Sequence, residues 1–166
     1  MQNLIINITQ ENFKPLENDT FGCFILSQDL SENFKNDFIE QAHKKDKLCL
    51  LSGDNAPQKY AKINADGVVF DLSKEEKPQK ILKEFQQKNP KALVGAISRN
   101  RRHEAMLISE CEPDFIIFQV WVEGLEKSKE LLEWYNEFFL IQSAIMPMDS
   151  CPTEGLPADF IIKNSD

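Results

Sequence analysis

The chain has 166 residues and carries 27 acidic against 19 basic side chains, a formal charge of −8. That length suits one domain, residues 1–166, with a core of its own, and 42% hydrophobic with 28% charged residues is a globular balance. Strong acidity argues against a general nucleic-acid binder, which needs a basic face to displace phosphate counterions. No apolar run approaches the ~20 residues of a membrane helix, and no basic stretch precedes the first apolar one. The expectation is a soluble, cytoplasmic protein that engages neither nucleic acid nor membrane. Cys23, Cys49, Cys111 and Cys151 are widely spaced with no CxxC pair, and three of them lie in apolar surroundings as small buried hydrophobes, which argues against a disulfide framework or zinc site.

Short apolar runs punctuate the chain at Leu4–Ile8, Cys23–Leu26, Leu48–Leu51, Val68–Phe70, Ala92–Ile97, Phe115–Val120, Phe139–Ile145 and Phe160–Ile162. Most are continuous rather than alternating, the pattern of strands buried on both faces of a parallel sheet. Between them stand helical patterns with identifiable starts. Ser31 caps the first, in which Phe34, Phe38 and Ala42 recur until Lys44 and Lys45 close it. Asn55 and Pro57 open a second with Tyr60, Ala61 and Ile63, and Pro78 a third with Ile81, Leu82 and Phe85 inside. Asn100 caps a fourth that buries Ala105, Met106 and Ile108 before Pro113; the fifth runs from Leu125 to Phe138 over Leu131, Leu132 and Tyr135. Thr9–Thr20 and Pro147–Pro157 break the rhythm and read as loops or single turns.

Eight strands alternating with helices predict an α/β fold, a trimmed TIM-type (β/α)8 barrel with two helices reduced to loops. An open, doubly wound parallel sheet is the alternative.

Several of these strands resemble those of the thiamine phosphate synthase and thiazole tautomerase (TenI-like) family. KINADGVVF at Lys62–Phe70 is similar to that family's "GADGVH" strand, and ALVGAIS at Ala92–Ser98 to "IIGVS". EPDFIIFQ at Glu112–Gln119 resembles "GADYVGFG", and ADFII at Ala158–Ile162 resembles "GADGV". RRHEAM at Arg101–Met106 followed by DFIIFQ is similar to a divergent proteobacterial subgroup with "SRHDAM" and "DYVMFG". The resemblance spans Leu4 to Asp166. It implies a barrel joining a pyrimidine pyrophosphate to a thiazole phosphate with magnesium.

That chemistry needs cations and a metal to neutralise departing pyrophosphate, and the matching positions depart from the family pattern. Where the family has "QLREK" this chain reads FILSQ, leaving Ser27 and Gln28. The "ND" pair becomes Gly53-Asp54, and VFDLSK at Val69–Lys74 puts Lys74 where a second metal-binding acid belongs. The loop after strand six, VWVEGLEK, lacks the family's TxT pattern, and Met146-Pro147 replaces a phosphate-cradling Gly-Gly. Proline has no N–H to offer a phosphate. The resemblance therefore implies a degraded catalytic set on a barrel that binds a small phosphorylated, thiamine-related ligand. A non-catalytic interaction or dimerisation module is the alternative.

The three arginines of the chain, Arg99, Arg101 and Arg102, fall together with His103 after the fifth strand, where barrels carry their active sites. Guanidinium forks and helix N–H groups there could converge on an anion, or the cluster could be a solvated loop paired with acids. Ser98, Arg101, Arg102, His103 and, near the end of the last strand, Asn164 are the candidate ligand-binding residues. His103 is a candidate acid–base group or a plain surface residue beside Glu104. Asp54 and Asp71 each follow a strand and are the candidate magnesium ligands, or ordinary loop and helix-start residues. Adjacent aromatics at Trp134-Tyr135 and Phe138-Phe139 must send one member of each pair outward. The shortened Thr9–Thr20 and Pro147–Pro157 connections would bare strand surface for a second subunit, so a homodimer is a further expectation.

Overall fold

The computed structural model describes residues 3–165, in which eight parallel strands follow one another in chain order around a closed barrel. They are β1 (Asn3–Ile8), β2 (Cys23–Leu26), β3 (Leu48–Ser52), β4 (Gly67–Asp71), β5 (Leu93–Ser98), β6 (Phe115–Val120), β7 (Gln142–Pro147) and β8 (Phe160–Asn164). Five helices lie between them: α1 (Glu32–Lys44), α2 (Ala56–Lys59), α3 (Pro78–Lys88), α4 (Arg102–Glu110) and α5 (Leu125–Phe138). The first connection holds only a 3-10 turn, Lys14–Glu17, and the seventh holds no helix. The barrel is thus trimmed at both expected places, and the open sheet is not formed.

Four sequence expectations shift. β7 begins at Gln142 rather than Phe139, because Phe139 ends α5 as its C-cap and Leu140 stands fully exposed. α2 is a single turn, so Tyr60, Ala61 and Ile63 lie beyond it. Arg101, not Asn100, is the N-cap residue of α4, and Met106 faces solvent while Ala105 and Ile108 are buried.

Contacts divide the chain into two units, one built on Leu4–Val69 and the other on Phe70–Ile161. In the first, β2 pairs with β1 and β3, and β3 with β4, all in parallel register. Phe24, Ile25, Leu26, Leu50, Leu51 and Val68 are buried, which explains the unbroken apolar runs. Ser31 caps α1 by accepting the Phe34 N–H, and the helix lays Phe34, Phe38 and Ala42 on the strands. Phe38 meets Phe24 edge-on at 5.1 Å between ring centroids. The first connection closes over this layer: Leu16 is buried and Phe13 packs on Phe34 at 4.8 Å. Lys47 is buried too, its ammonium donating to the Leu16 and Asn18 carbonyls at 3.0 and 2.8 Å and lying 5.8 Å from the centre of the Phe24 ring.

In the second unit β6 is the central strand, paired with β5 and β7. Gly95 sits opposite Phe115, and a Cβ there would come within 2.5 Å of its ring. Tyr135 is fully buried on α5, its hydroxyl 2.7 Å from Ser109 of α4, while Phe138 points outward. Burial pushes the Tyr135 phenol up to about 12. Cys151 and Leu156 are buried within the helix-free seventh connection.

One device recurs at three strand junctions. Asp66, immediately before β4, donates its N–H to the Cys49 carbonyl and accepts the Cys49 N–H on Oδ2, both at 2.8 Å. Asp114 does the same with Val94, at 2.8 and 2.7 Å, and Asp159 with Ser143, both at 2.9 Å. Each carboxylate locks the start of one strand to the start of the next.

Candidate functional site

The arginine cluster lies where expected, on the segment from the C-terminal end of β5 into α4, and its members are engaged differently. Arg99 donates from Nε to the Ser73 carbonyl at 3.0 Å and holds an Nη1 3.9 Å from Glu104 Oε1. Arg102 lies 5.1 Å from the centre of the Trp134 ring, a cation–π contact with α5. Arg101 is the freest: its side chain is 68% exposed, and its nearest acid is Glu104 Oε1 at 4.0 Å. No side chain caps α4, so the amides of its first turn lack a protein acceptor of that kind. The helix field there is positive, and each cation placed in it costs roughly 0.3–1 kcal/mol unless an anion binds.

Glu104 was not singled out by the sequence. Its side chain is mostly buried, one oxygen facing Arg99 and Arg101 and the other enclosed without a hydrogen-bond partner. A carboxylate three residues after an arginine looks like an ordinary surface i,i+3 pair, which is why the pattern gave no warning.

The other predicted ligand residues do not all turn towards that point. Ser98 is buried and donates to the Arg99 carbonyl at 2.8 Å. His103 is exposed on the first turn of α4. Asn164, in the other unit, accepts from Asn7 Nδ2 at 3.0 Å, joining β8 to β1. Asn100 donates to the Gln119 carbonyl at 2.8 Å, which holds the loop after β5 against the end of β6.

The two predicted metal ligands are each held by local contacts. Asp71 ends β4 with its Oδ1 accepting both the N–H and hydroxyl of Ser73, at 3.1 and 2.6 Å. Asp54 lies in the turn after β3, tied through its N–H to Gln28 Oε1 at 3.1 Å. Among the described residues no group of three or more His, Cys, Asp or Glu side chains is placed to hold a metal ion.

In the first unit a cavity of about 260 Å3 opens at the C-terminal ends of β2 and β3. Gln28, Asp29, Lys35, Ser52, Asn55 and Lys59 supply its polar lining. The sequence offered one clue here, Gln28 in the strand-two position; Lys35 was hidden because a lysine in a helix's first turns usually faces water.

Cysteine chemistry is absent from both places. Burial, with the Asp66 carboxylate behind it, pushes the Cys23 thiol up to about 12 and raises Cys49 in the same direction. At neutral pH both remain thiols, and the thiolate is the nucleophile. Ellman's reagent is therefore expected to leave fully buried Cys49 unlabelled in the native protein and to label it in urea. Rapid native labelling of Cys49 would contradict the packing of β3.

No family model matches the chain, and no curated protein matches it. Solved structures do. Tryptophan synthase from Pyrococcus furiosus superposes with a TM-score of 0.74 at 11% identity, over 98% of this chain and 86% of that one. The YdjI aldolase of Escherichia coli K12 gives 0.67 at 11%, over 98% and 74%, and KGPDC from Streptococcus mutans 0.62 at 14%, over 99% and 88%. This chain is a TIM-type barrel. At such identities the likeness establishes the fold alone, since one barrel hosts many chemistries. No helix among the described residues is long and apolar enough to cross a membrane.

Proposed function

We propose that this barrel binds a small phosphorylated ligand of the thiamine-precursor kind at the strand C-terminal ends, on a scaffold whose family catalytic set has been dismantled. The observation that carries the reading is Arg101, an exposed guanidinium at an uncapped helix N-terminus whose one acidic partner, Glu104, stands 4.0 Å away and is shared with Arg99. A phosphate there would accept from the guanidinium fork and the first-turn amides of α4 and reverse the cost of gathering cations at that end. Glu104, 3.9 and 4.0 Å from Arg99 and Arg101, tempers the positive charge.

Thermal unfolding with thiazole phosphate, pyrimidine pyrophosphate, thiamine phosphate and inorganic phosphate, each with and without magnesium, tests this. A ligand at 100 times its Kd stabilises by ~2.7 kcal/mol, a rise of roughly 5–10 °C for this size. The rise is expected without magnesium and, for thiazole phosphate, pyrimidine pyrophosphate and thiamine phosphate, is expected to vanish in Arg101→Ala. Unchanged unfolding with all four compounds would remove the reading.

A second reading, an interaction or dimerisation module, is favoured by Phe138 and Leu140, 64% and 101% exposed at the end of α5 and just beyond it. Sedimentation as a monomer at high micromolar concentration would remove a homodimer.

A further inference from the structure

From the cavity at the ends of β2 and β3 we infer a second anion site, formed around Lys35 and fitted to a small hydroxylated phosphate or carboxylate. It shares with the reading above the idea of an anionic ligand but does not depend on Arg101.

The argument starts from two lysines. Among the described residues Lys35 and Lys47 are the buried charged side chains, each with 6% of its surface exposed. A buried ammonium is tolerated when its protons are received. Lys47 meets that condition with two backbone carbonyls and an aromatic face. Lys35 does not: no hydrogen bond or ion pair engages its ammonium. Glu32, one turn earlier, acts on it only through its field, because the Glu32 carboxylate is bonded to Lys59 at 3.0 Å. Lys35 instead lines the cavity, with three ammonium donors that no protein group receives.

The other walls say what would fill that space. Ser52 is half-buried, its hydroxyl 3.3 Å from the Leu26 carbonyl, and Gln28 is held in place by the Asp54 N–H. Asn55 heads α2 without capping it, which leaves its amide free of that role. These neutral groups suit the hydroxyls of a polyol. Asp29 is the one acid on the wall and repels an anion from its side, so the charged end belongs at Lys35 and a hydroxyl donor at Asp29. A volume of about 260 Å3 lies below the common range for drug-sized ligands and suits a compound of a few carbons. The position, at strand C-terminal ends, is where barrels of this type hold their ligands.

The test is titration calorimetry of the full chain with glycerol 3-phosphate, inorganic phosphate, malate and uncharged glycerol. The parent is compared with Lys35→Met, which keeps the aliphatic stem, and with Arg101→Ala. Binding of at least one anion, with none of glycerol, is expected; phosphate against malate decides which anionic group is preferred. Lys35→Met is expected to lose about ten- to a hundredfold in affinity, while Arg101→Ala binds as the parent does. Unchanged binding by Lys35→Met overturns the site. If Arg101→Ala is then the variant that fails, the anion reading survives at α4 and only Lys35 is wrong. No binding of any anion by the parent overturns the site, whatever the thiamine precursors do at Arg101. Should Lys35→Met misfold, reductive methylation of the parent decides: a bound anion is expected to protect Lys35, and equal methylation with and without it overturns the proposal.

Discussion

Replacing Lys47 with methionine is expected to lower stability by about 4 kcal/mol, the largest effect of any single substitution considered. Its ammonium donates to two carbonyl oxygens, of Leu16 at 3.0 Å and Asn18 at 2.8 Å. Hydrogen bonds to a charged group contribute about 1.5–3 kcal/mol each, and acceptors stranded by a truncation cost their desolvation as well. Methionine refills the volume, so the loss is one of satisfaction, not of packing. For a chain of this length that amounts to a fall in Tm of roughly 8–16 °C. The first connection should also loosen, because Leu16 and Asn18 bracket the end of its 3-10 turn. Amides around Phe13–Phe21 would then exchange faster than those of β2. A Tm within 2 °C of the parent, or unaltered exchange in that segment, would show that the ammonium is not what holds it.

The same pair of lysines marks how far the sequence could be read. Strand positions were legible because the runs are continuous, and the two missing helices were legible because Thr9–Thr20 and Pro147–Pro157 carry no helical period. The start of β7 was not, since Phe139 and Leu140 continue the apolar run although one ends a helix and the other faces solvent. Met106 was misplaced for the same reason: an apolar residue one position after a buried alanine can face either way on a short helix. The arginine cluster was visible as composition, but its division of labour is tertiary. Trp134 takes Arg102, and Ser73 takes Arg99, across 32 and 26 positions of chain. Lys35 and Lys47 are both lysines beside apolar residues; only packing shows that one finds carbonyls and the other an open cavity.

The aspartate that recurs before a strand in three of the segments resembling the family makes the second large prediction and limits what that resemblance means. Asp66→Ala is expected to cost about 3 kcal/mol, or roughly 6–12 °C in Tm. The Cys49 N–H loses a carboxylate acceptor at 2.8 Å and is left buried. That is worth about 1.5–3 kcal/mol. The His43 ring loses its partner at 2.9 Å, a smaller loss because both side chains are a quarter or more exposed. Asp66→Asn keeps one acceptor and should retain about half of the stability. Asp114→Ala and Asp159→Ala, which lose the same clasp without a histidine, should each cost less, about 2 kcal/mol. Three of the segments that resemble thiamine phosphate synthase, KINADGVVF, EPDFIIFQ and ADFII, thus place their aspartates on backbone amides of the neighbouring strand. A resemblance built on such residues carries fold rather than reaction. The prediction discriminates between the two meanings: loss of stability with anion affinity intact in the folded fraction marks a clasp. An unchanged Tm with lost affinity would put these aspartates in the binding site and make the family likeness functional.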